Sequence, residues 1–154
     1  MIKNYKFSTL IIFLLLVGCG FNSVLNDSSI NFSIENIVLN GNKNINDNIL
    51  SNLVNYRNNP EKKKKYYLKL NTIENRNITS KDTKGDAKTY RIEVRTTLEV
   101  TDISNQIFKK EFIEKKNYNT MSSKFDLGLY ENNVRKDLAN IIARSISIYL
   151  SSLN

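Results

Sequence analysis

The stretch Tyr90–Thr101, with the sequence YRIEVRTTLEVT, alternates two kinds of side chain without a break. One face carries Tyr90, Ile92, Val94, Thr96, Leu98 and Val100, and the other carries Arg91, Glu93, Arg95, Thr97, Glu99 and Thr101. A period of two with one apolar and one polar face predicts a β-strand that is buried on one side only, as is common in antiparallel sheets. The rest of the chain is interpreted outward from this strand.

Strands are also predicted on either side of this stretch. Tyr66, Leu68, Leu70 and Thr72 alternate before it, and Ile107 to Tyr118 follows it after a turn. The poorer alternation and the lysines of the later segment are typical of a protected edge strand. The segment 75–88, rich in Asp, Gly, Ser and Lys, is predicted to be a long hairpin loop.

Two segments show the spacing of amphipathic helices. Apolar residues recur every three or four positions from Ile45 to Tyr56, with Asn44 or Asn46 available as the N-cap. The last segment follows Ser123 and Asp126, which resemble a capping box. Its apolar stripe comprises Val134, Leu138, Ile141, Ile142, Ile146, Tyr149, Leu150 and Leu153.

The first strand is predicted from Ile30 to Leu39, and its alternation changes phase near Glu35-Asn36, which indicates a bulge. The element order is therefore β-α-β-β-β-α. Two amphipathic helices most simply cover the apolar face of one sheet. We predict an α+β domain over residues 30–154: a two-layer sandwich in which two helices pack on one face of a four-stranded, mainly antiparallel sheet.

Composition excludes several kinds of chemistry. The 154 residues include no His, no Trp and one Cys, and 23 Lys and Arg face 15 Asp and Glu, for a net charge of +8. Without His there is no Ser-His-Asp triad and no imidazole metal site, and a single Cys forms neither an internal disulfide nor a thiolate zinc cluster. We expect no enzyme activity, no cofactor and no metal. A nucleic-acid partner is not expected either, because acidic residues interleave the basic ones.

The beginning of the chain is predicted to be a targeting segment. Lys3 and Lys6 precede an uninterrupted apolar run of eight residues, Leu10 to Val17. That run is far shorter than the roughly 20 residues of a membrane-spanning helix, but it suits the core of a signal peptide. Leu16-Val17-Gly18-Cys19 then has the form of a bacterial lipobox.

We therefore predict a lipoprotein signal peptide over residues 1–18, lipidation of Cys19 and a lipidated tether over residues 19–29. Acyl chains on Cys19 would hold the protein on a membrane, since each buried methylene contributes about 0.8 kcal/mol. The alternative is a structural Cys after an ordinary signal peptide. Gly20 follows the cysteine instead of Asp, which favours the outer membrane.

The element order also gives the domain two ends. The tether and the run Lys62 to Lys65 lie at one end, and this run suits anionic head-groups, an acidic partner or a solvated turn. The loops 75–88 and 119–124 lie at the other end, beside both helix N-termini, where Lys81, Lys84 and Lys124 are predicted to cluster. They form a candidate site for a phosphorylated ligand. The alternative is that they are solubilising loop residues.

With these features placed, the chain resembles the LPS-assembly lipoprotein LptE (RlpB-like) family. The residues that carry the resemblance are Leu16 to Phe21, Thr89-Tyr90-Arg91, Leu98 to Asp102, Tyr118-Asn119-Thr120, Ser123, Phe125, Leu138-Ala139, Ile142-Ala143 and Ile146. The resemblance implies an outer-membrane lipoprotein on the periplasmic side that plugs the LptD β-barrel and assists its assembly. It also implies lipopolysaccharide binding, and the nearest candidates for contact with this ligand are Lys81, Lys84 and Lys124. The resemblance implies that the protein has no cofactor and catalyses no reaction.

Two other functions stay open at this point. A free-standing lipoprotein that binds an anionic lipid or a cell-wall fragment would have no barrel partner and would carry a ligand-sized apolar cavity between helices and sheet. An exported hydrolase would need a cleft with perturbed carboxylates, and the sequence offers no close acidic pair outside a polar loop.

Overall fold

A computed structural model describes residues 30–153 and contains one four-stranded sheet in the order β1-β2-β3-β4. The strands are β1 (Phe32–Gly41), β2 (Lys64–Lys81), β3 (Ala87–Asp102) and β4 (Ile107–Asn119). The helices are α1 (Lys43–Leu53), which continues into a short 3-10 helix (Val54–Tyr56), and α2 (Lys124–Ser152). Strand β1 pairs with β2 in parallel, and the other two pairings are antiparallel. The predicted α+β class and element order are confirmed.

One face of the sheet and both helices enclose a single apolar core. The stripe predicted on β3 is its centre, with Ile92, Val94, Leu98 and Val100 all at 0% exposure. Aliphatic side chains from β1, β2 and both helices complete the core: Ile34, Ile45, Ile49, Leu53, Leu68, Leu70, Ile142, Ile146 and Leu150. Burial of this apolar surface is the main term that holds the two layers together.

The predicted irregularity of β1 is confirmed, since its register with β2 shifts between Ile34 and Asn36. The strand ends at Gly41, whose φ of 88° lies in the left-handed region. A side chain there would be strained, and its Cβ would also collide with the carbonyl oxygen of Thr72. Glycine therefore allows the chain to turn from β1 into α1 directly against β2.

The predicted N-caps of α1 are wrong, whereas that of α2 is confirmed. Helix α1 begins after Asn42, whose side-chain oxygen accepts a hydrogen bond from the backbone N–H of Ile45 at 3.2 Å. Asn46 is instead buried within the helix and donates from Nδ2 to the carbonyl of Asn40 at 2.9 Å. At the start of α2, the Ser123 hydroxyl accepts from the backbone N–H of Asp126 at 3.2 Å, as the capping box predicts.

The predicted loop over residues 75–88 is wrong, because most of it is strand. Strand β2 continues to Lys81 and pairs with β3 as far as Ala87, which leaves only Asp82 to Asp86 as the turn. The outer part of this hairpin lies beyond the core, so its side chains have no burial pattern. Backbone pairing with β3, and not an apolar stripe, makes it a strand.

The predicted signal peptide over residues 1–18, the lipidated Cys19 and the tether over residues 19–29 lie outside the described residues. In residues 30–153, neither helix combines the length and the apolar character needed to cross a bilayer.

Candidate functional site

The hairpin formed by β2 and β3 projects past β1, whereas β4 accompanies β3 as far as the pair of Thr89 and Asn119. The end of β1, Gly41, pairs with Thr72, and β2 then runs on to Lys81, about 30 Å further at the usual rise per residue. The turn is ordered by Asp82, whose Oδ1 accepts from the backbone N–H groups of Lys84 and Asp86 at 2.9 Å each. The projecting end of the hairpin is therefore held in a defined conformation by hydrogen bonds within the turn.

The three lysines predicted as ligand contacts lie at this end of the domain. Lys81 is the last residue of β2, Lys84 lies in the turn and Lys124 is the first residue of α2; all three are exposed. The segment leading to α2 is joined to the hairpin where Thr120 N–H donates to the carbonyl of Lys88 at 2.9 Å. Their role in binding a ligand stays a prediction.

The expectation that both helix N-termini flank these lysines is wrong for α1. That helix starts beside Thr72, because the backbone N–H of Asn42 donates to the Thr72 carbonyl at 2.8 Å. Its N-terminus is therefore about 30 Å from Lys81 along β2. The cause is the long strand pairing, which carries the hairpin tip far beyond the level of α1. Only the N-terminus of α2 adds partial positive charge near the lysines.

A cluster of charged and aromatic side chains joins the base of the hairpin to α2. We call it the Glu131 cluster; it comprises Glu74, Arg76, Tyr90, Tyr118, Glu131 and Arg135. Glu131 is buried, with 8% of the residue exposed. Its Oε1 atom accepts hydrogen bonds from Nε and Nη2 of Arg76 at 2.9 and 2.8 Å. The hydroxyl of Tyr118 donates to the same oxygen at 2.7 Å. Charge-assisted bonds of this kind are stronger than neutral ones.

A second ion pair extends the cluster to α1. Nε of Arg135 donates to Glu74 at 2.8 Å, and the side-chain amide of Asn42 donates to the other oxygen of Glu74 at 2.9 Å. Nη2 of Arg135 also lies 3.5 Å from Oε2 of Glu131, which is one turn earlier on α2. The cap of α1, strand β2 and helix α2 are thereby connected through polar contacts.

Aromatic rings complete the cluster. The guanidinium carbon of Arg76 lies 3.9 Å from the centre of the Tyr90 ring, a cation–π geometry. Tyr90 in turn stacks on Tyr118, with 5.7 Å between ring centres. Tyr118 also contacts Tyr130 of α2 at 5.7 Å.

The pKa values of Glu131 and Tyr118 are both shifted further from neutral pH. Burial by itself would raise the pKa of Glu131, but hydrogen bonds from Arg76 and Tyr118 lower it below its usual value. Burial and the bond to Glu131 raise the pKa of Tyr118 to about 12. Both groups thus keep one charge state near neutral pH, which suits a structural contact. Among residues 30–153, no group of three or more acidic, His or Cys side chains is placed to hold a metal ion.

Sequence reasoning missed the Glu131 cluster because its members are distant along the chain. Arg76 and Glu131 are separated by 55 positions, and Glu74 and Arg135 by 61. One signal was present: Glu131 precedes Val134 by three positions and Leu138 by seven, so it lies on the apolar stripe of α2. A carboxylate on a buried stripe predicts a buried partner.

A groove of about 650 Å³ runs between β4 and α2. Tyr130, Val134, Leu138 and Ile141 give it apolar walls, while Glu114, Lys116 and Asp137 line it with charge. Ile141 is 46% exposed, so its predicted place in the core is wrong. The reason is that the flank of α2 toward β4 is left partly uncovered.

The opposite face of the sheet has no covering layer among the described residues and carries charges of both signs. Arg95 forms ion pairs with Glu93 at 3.3 Å and with Glu111 at 2.9 Å. Lys109 pairs with Glu99 at 3.1 Å. Isolated apolar residues, including Ile73 and Ile113, lie among these charges at 49% and 43% exposure.

The fold defines a class of protein: a two-layer α+β domain with an open sheet face, a projecting β2–β3 hairpin and a long C-terminal helix. Solved structures of lipoproteins have a similar fold. Rare lipoprotein B from Shewanella oneidensis is 12% identical, with a TM-score of 0.52 over 75% of this chain and 96% of that one. Lipoprotein B from Nitrosomonas europaea is 16% identical, with a TM-score of 0.60 over 87% and 94% of the two chains.

A minor lipoprotein from Acinetobacter baumannii is also similar, at 11% identity and a TM-score of 0.59 over 78% of this chain and 91% of that one. No protein-family model and no curated protein sequence matches the chain. The likeness to these structures therefore concerns the fold. At that level it confirms the resemblance to RlpB-like lipoproteins drawn from the sequence.

Proposed function

We propose that this protein is an outer-membrane lipoprotein that plugs an LptD-like β-barrel, assists its assembly and binds lipopolysaccharide on its way to the outer leaflet. The role is structural, without turnover or cofactor. The observation that carries the proposal is the shared fold with rare lipoprotein B over 96% of that chain. The lipobox ending at Cys19 supports it, since acyl chains on this residue would place the domain on the periplasmic side of the membrane.

The shape of the domain suits a plug. The hairpin projects about 30 Å beyond β1, which gives the molecule a long axis with the first residues of β1 at one end and Lys81 and Lys84 at the other. If Cys19 anchors the end where β1 begins, the lysine-bearing end points away from the anchor. Exposed lysines and the N-terminus of α2 would there meet the phosphates of lipopolysaccharide.

The partner is tested by isolating the tagged lipoprotein from its own outer membrane in mild detergent and identifying what is recovered by mass spectrometry. The proposal expects one large β-barrel protein in near-stoichiometric amount, retained at high salt because plug contacts are extensive and not only ionic. A Cys19→Ser variant, which lacks the lipidation site, should lose the membrane anchor. Recovery of the lipoprotein alone contradicts the barrel partnership.

The ligand is tested separately with purified lipopolysaccharide. A variant with Lys81→Gln, Lys84→Gln and Lys124→Gln is compared with a control of equal charge change, Lys62→Gln, Lys63→Gln and Lys65→Gln. We expect the first to weaken binding by about tenfold or more and the second to leave it within about twofold. Equal effects would show that net charge alone, and not this end of the domain, attracts the ligand.

One observation favours a second function, a free-standing lipoprotein that binds an anionic lipid. The groove between β4 and α2 has the size of a small-molecule site, apolar walls and a lysine, Lys116, among its lining residues. An acyl chain in the groove would then place its charged head-group near Lys116. Recovery of the lipoprotein from its membrane without a barrel, but with bound anionic lipid, would select this function.

A further inference from the structure

The sheet has a hairpin turn at each end, and the two turns are ordered in the same way. In the turn between β3 and β4, Oδ1 of Asp102 accepts hydrogen bonds from the backbone N–H groups of Ser104 and Gln106 at 2.8 Å each. Asp82 does the same in the turn between β2 and β3. The two turns are joined by β3, so they lie about 50 Å apart.

The turn after Asp102 lies at the end of the domain where the chain enters β1. Asp102 pairs with Tyr66, and Phe32, the first residue of β1, pairs with Lys64 two positions earlier on β2. The backbone N–H of Lys64 also donates to the carbonyl of Asn31. We call this the anchored end of the domain; it comprises residues 31–38, 54–69, 99–109 and 145–153.

The length of chain between Cys19 and the domain limits how far this end moves from a membrane. Twelve residue steps separate Cys19 from Asn31. A fully extended chain of that length spans about 40 Å. If Cys19 carries the lipid anchor, as the proposed function requires, the anchored end stays within this distance of the bilayer surface.

The anchored end exposes apolar side chains. Tyr67 and Ile107 lie on either side of Thr101 in one row across the open sheet face, at 48% and 56% exposure. Ile103 follows in the turn and is 67% exposed. Contact with lipid would remove this apolar surface from water, and tyrosine is common at the interface between membrane and water.

The same end carries an excess of positive charge. Lys65 and Lys109 form ion pairs with Glu35 and Glu99 at 3.2 and 3.1 Å. The other charged residues of the anchored end are five cations and two carboxylates: Arg57, Lys62, Lys63, Lys64, Lys69, Glu61 and Asp102. Basic residues near a surface of anionic lipids are attracted to it. The anchored end therefore combines exposed apolar side chains with net positive charge.

We propose that the anchored end docks on the surface of the anionic membrane that holds Cys19. Ile103, Ile107 and Tyr67 enter the head-group region, and Lys62 and Lys63 contact lipid phosphates. The tether makes this contact intramolecular, so its effective concentration is high and a small surface suffices. The proposal rests on the lipid anchor of the proposed function but needs neither the barrel nor lipopolysaccharide.

The opposite end of the domain is a poorer surface for the same membrane. It also exposes an apolar residue, Phe125, at 73% in the first turn of α2. Helix α2 runs about 42 Å from Phe125 to Leu153. Leu153 accepts a hydrogen bond from Lys64, which is bonded to Asn31. A domain standing on Phe125 would thus need an almost fully extended tether, which is unfavourable in conformational entropy.

The test uses the full lipoprotein in vesicles of phosphatidylglycerol and phosphatidylcholine. Cys19 is the only cysteine, so once it is acylated an introduced cysteine is the one free thiol for a fluorescent probe. Ser104→Cys labels the turn of the anchored end, and Thr83→Cys labels the matching turn at the other end. A lipid with a nitroxide in its head-group should quench the first probe at least about threefold more than the second. Equal quenching, or stronger quenching at Thr83→Cys, overturns the proposal.

Matched pairs of substitutions identify the apolar side chains that enter the membrane. Ile103→Ser with Ile107→Ser should lower the quenching of the Ser104→Cys probe at least about twofold. Ile73→Ser with Ile113→Ser removes two isoleucines of 49% and 43% exposure from the same sheet face, about 20 Å further along. This control pair should leave the quenching unchanged. Equal effects of the two pairs contradict insertion at the anchored end.

A second matched set tests the lysines. Lys62→Gln with Lys63→Gln should lower the quenching in vesicles that contain phosphatidylglycerol, and not in vesicles of phosphatidylcholine alone. Lys81→Gln with Lys84→Gln makes the same charge change at the other end and should have a smaller effect. Equal effects of the two pairs contradict contact between Lys62, Lys63 and the lipid phosphates.

Flotation of the wild-type protein with the vesicles distinguishes a failure of docking from a failure of the anchor. A lipoprotein that floats without preferential quenching of the Ser104→Cys probe contradicts docking alone. A protein that does not float contradicts the lipid anchor, and docking with it. Barrel and lipopolysaccharide are absent from the vesicles, so neither result depends on them.

Discussion

Beside Leu98 and Val100 the helix side of the sheet is packed with aliphatic side chains, whereas beside Ile92 and Tyr90, about 20 Å along the same strand, Arg76, Tyr118 and Glu131 take their place. The first region excludes water and is held by burial of apolar surface. The second is held by charge-assisted hydrogen bonds whose members are partly exposed; the side chain of Arg76 is 37% exposed. One sheet is thus stabilised by two different interactions along its length.

The type of interaction in each region follows from which helices cover that part of the sheet. The aliphatic region has helices α1 and α2 above it, and most of the side chains it buries are apolar. The Glu131 cluster lies at and beyond the N-terminus of α1, where only α2 still covers the sheet. With one helix above it instead of two, this part of the sheet buries less apolar surface, and ion pairs and aromatic rings fix the base of the hairpin.

The largest effect is expected in the aliphatic region. Leu98→Ala should lower the free energy of unfolding by about 3 kcal/mol, because it removes a fully buried side chain and leaves a cavity. Urea denaturation followed by circular dichroism measures this. Ile113→Ala, on the open face at 43% exposure, is the control and should cost under about 1 kcal/mol. A larger loss for Ile113→Ala would mean that the open face is covered.

A smaller effect is expected in the Glu131 cluster. Glu131→Ala should cost about 2 kcal/mol, because Arg76 and Tyr118 lose their shared acceptor but water reaches the guanidinium in part. Hydrogen exchange should increase at the base of the hairpin more than in the aliphatic region. Asp137→Ala, exposed on the same helix, should stay within about 0.5 kcal/mol of the wild type. Equal losses of stability in the two variants would show that Glu131 has no special role.

Lowering the pH should weaken the Glu131 cluster but not the aliphatic region. We expect this effect on stability to be smaller than that of Glu131→Ala. The pKa of Glu131 in the folded protein lies below its ordinary value of 4.5, so its ionised form stabilises the fold above that pH. This contribution is lost as the pH falls through the lowered pKa. The stability difference between the wild type and Glu131→Gln should therefore shrink on going from about pH 6 to about pH 3. A difference that does not change with pH would contradict the lowered pKa of Glu131.

The smallest effect is expected at the tip of the hairpin. Lys84→Gln should change the free energy of unfolding by less than about 0.5 kcal/mol, because this exposed side chain lies in the turn and away from both regions. Thermal unfolding measures it. Any effect of this substitution on lipopolysaccharide binding would then be a direct effect on the ligand. A marked loss of stability would instead give Lys84 a structural role.

The fold was predictable where side chains are buried in a regular pattern. The alternation of Tyr90 to Thr101 and the spacing of residues 134–153 identify β3 and α2, because one face of each element must be apolar to bury it. The same rule explains the errors. Residues 75–81 belong to a strand without an apolar face, and Ile141 is an apolar residue on a flank that no neighbour covers.

The candidate sites also differ in how far the sequence predicts them. Element order alone predicts that Lys81, Lys84 and Lys124 share one end, since antiparallel strands and a long helix leave few other arrangements. The cluster around Glu131 depends on partners that lie far apart along the chain, such as Arg76 and Glu131. No local pattern specifies such partners.

The amino-acid sequence suffices for the two-layer α+β architecture, the order of elements along the chain and the lipidation motif at Cys19, because periodicity, turn residues and processing signals are local properties of the chain. The length of the hairpin beyond β1 and the Glu131 contacts come from tertiary structure. They arise where non-local backbone pairing and buried charge outweigh local preference, and those terms exist only once distant segments meet.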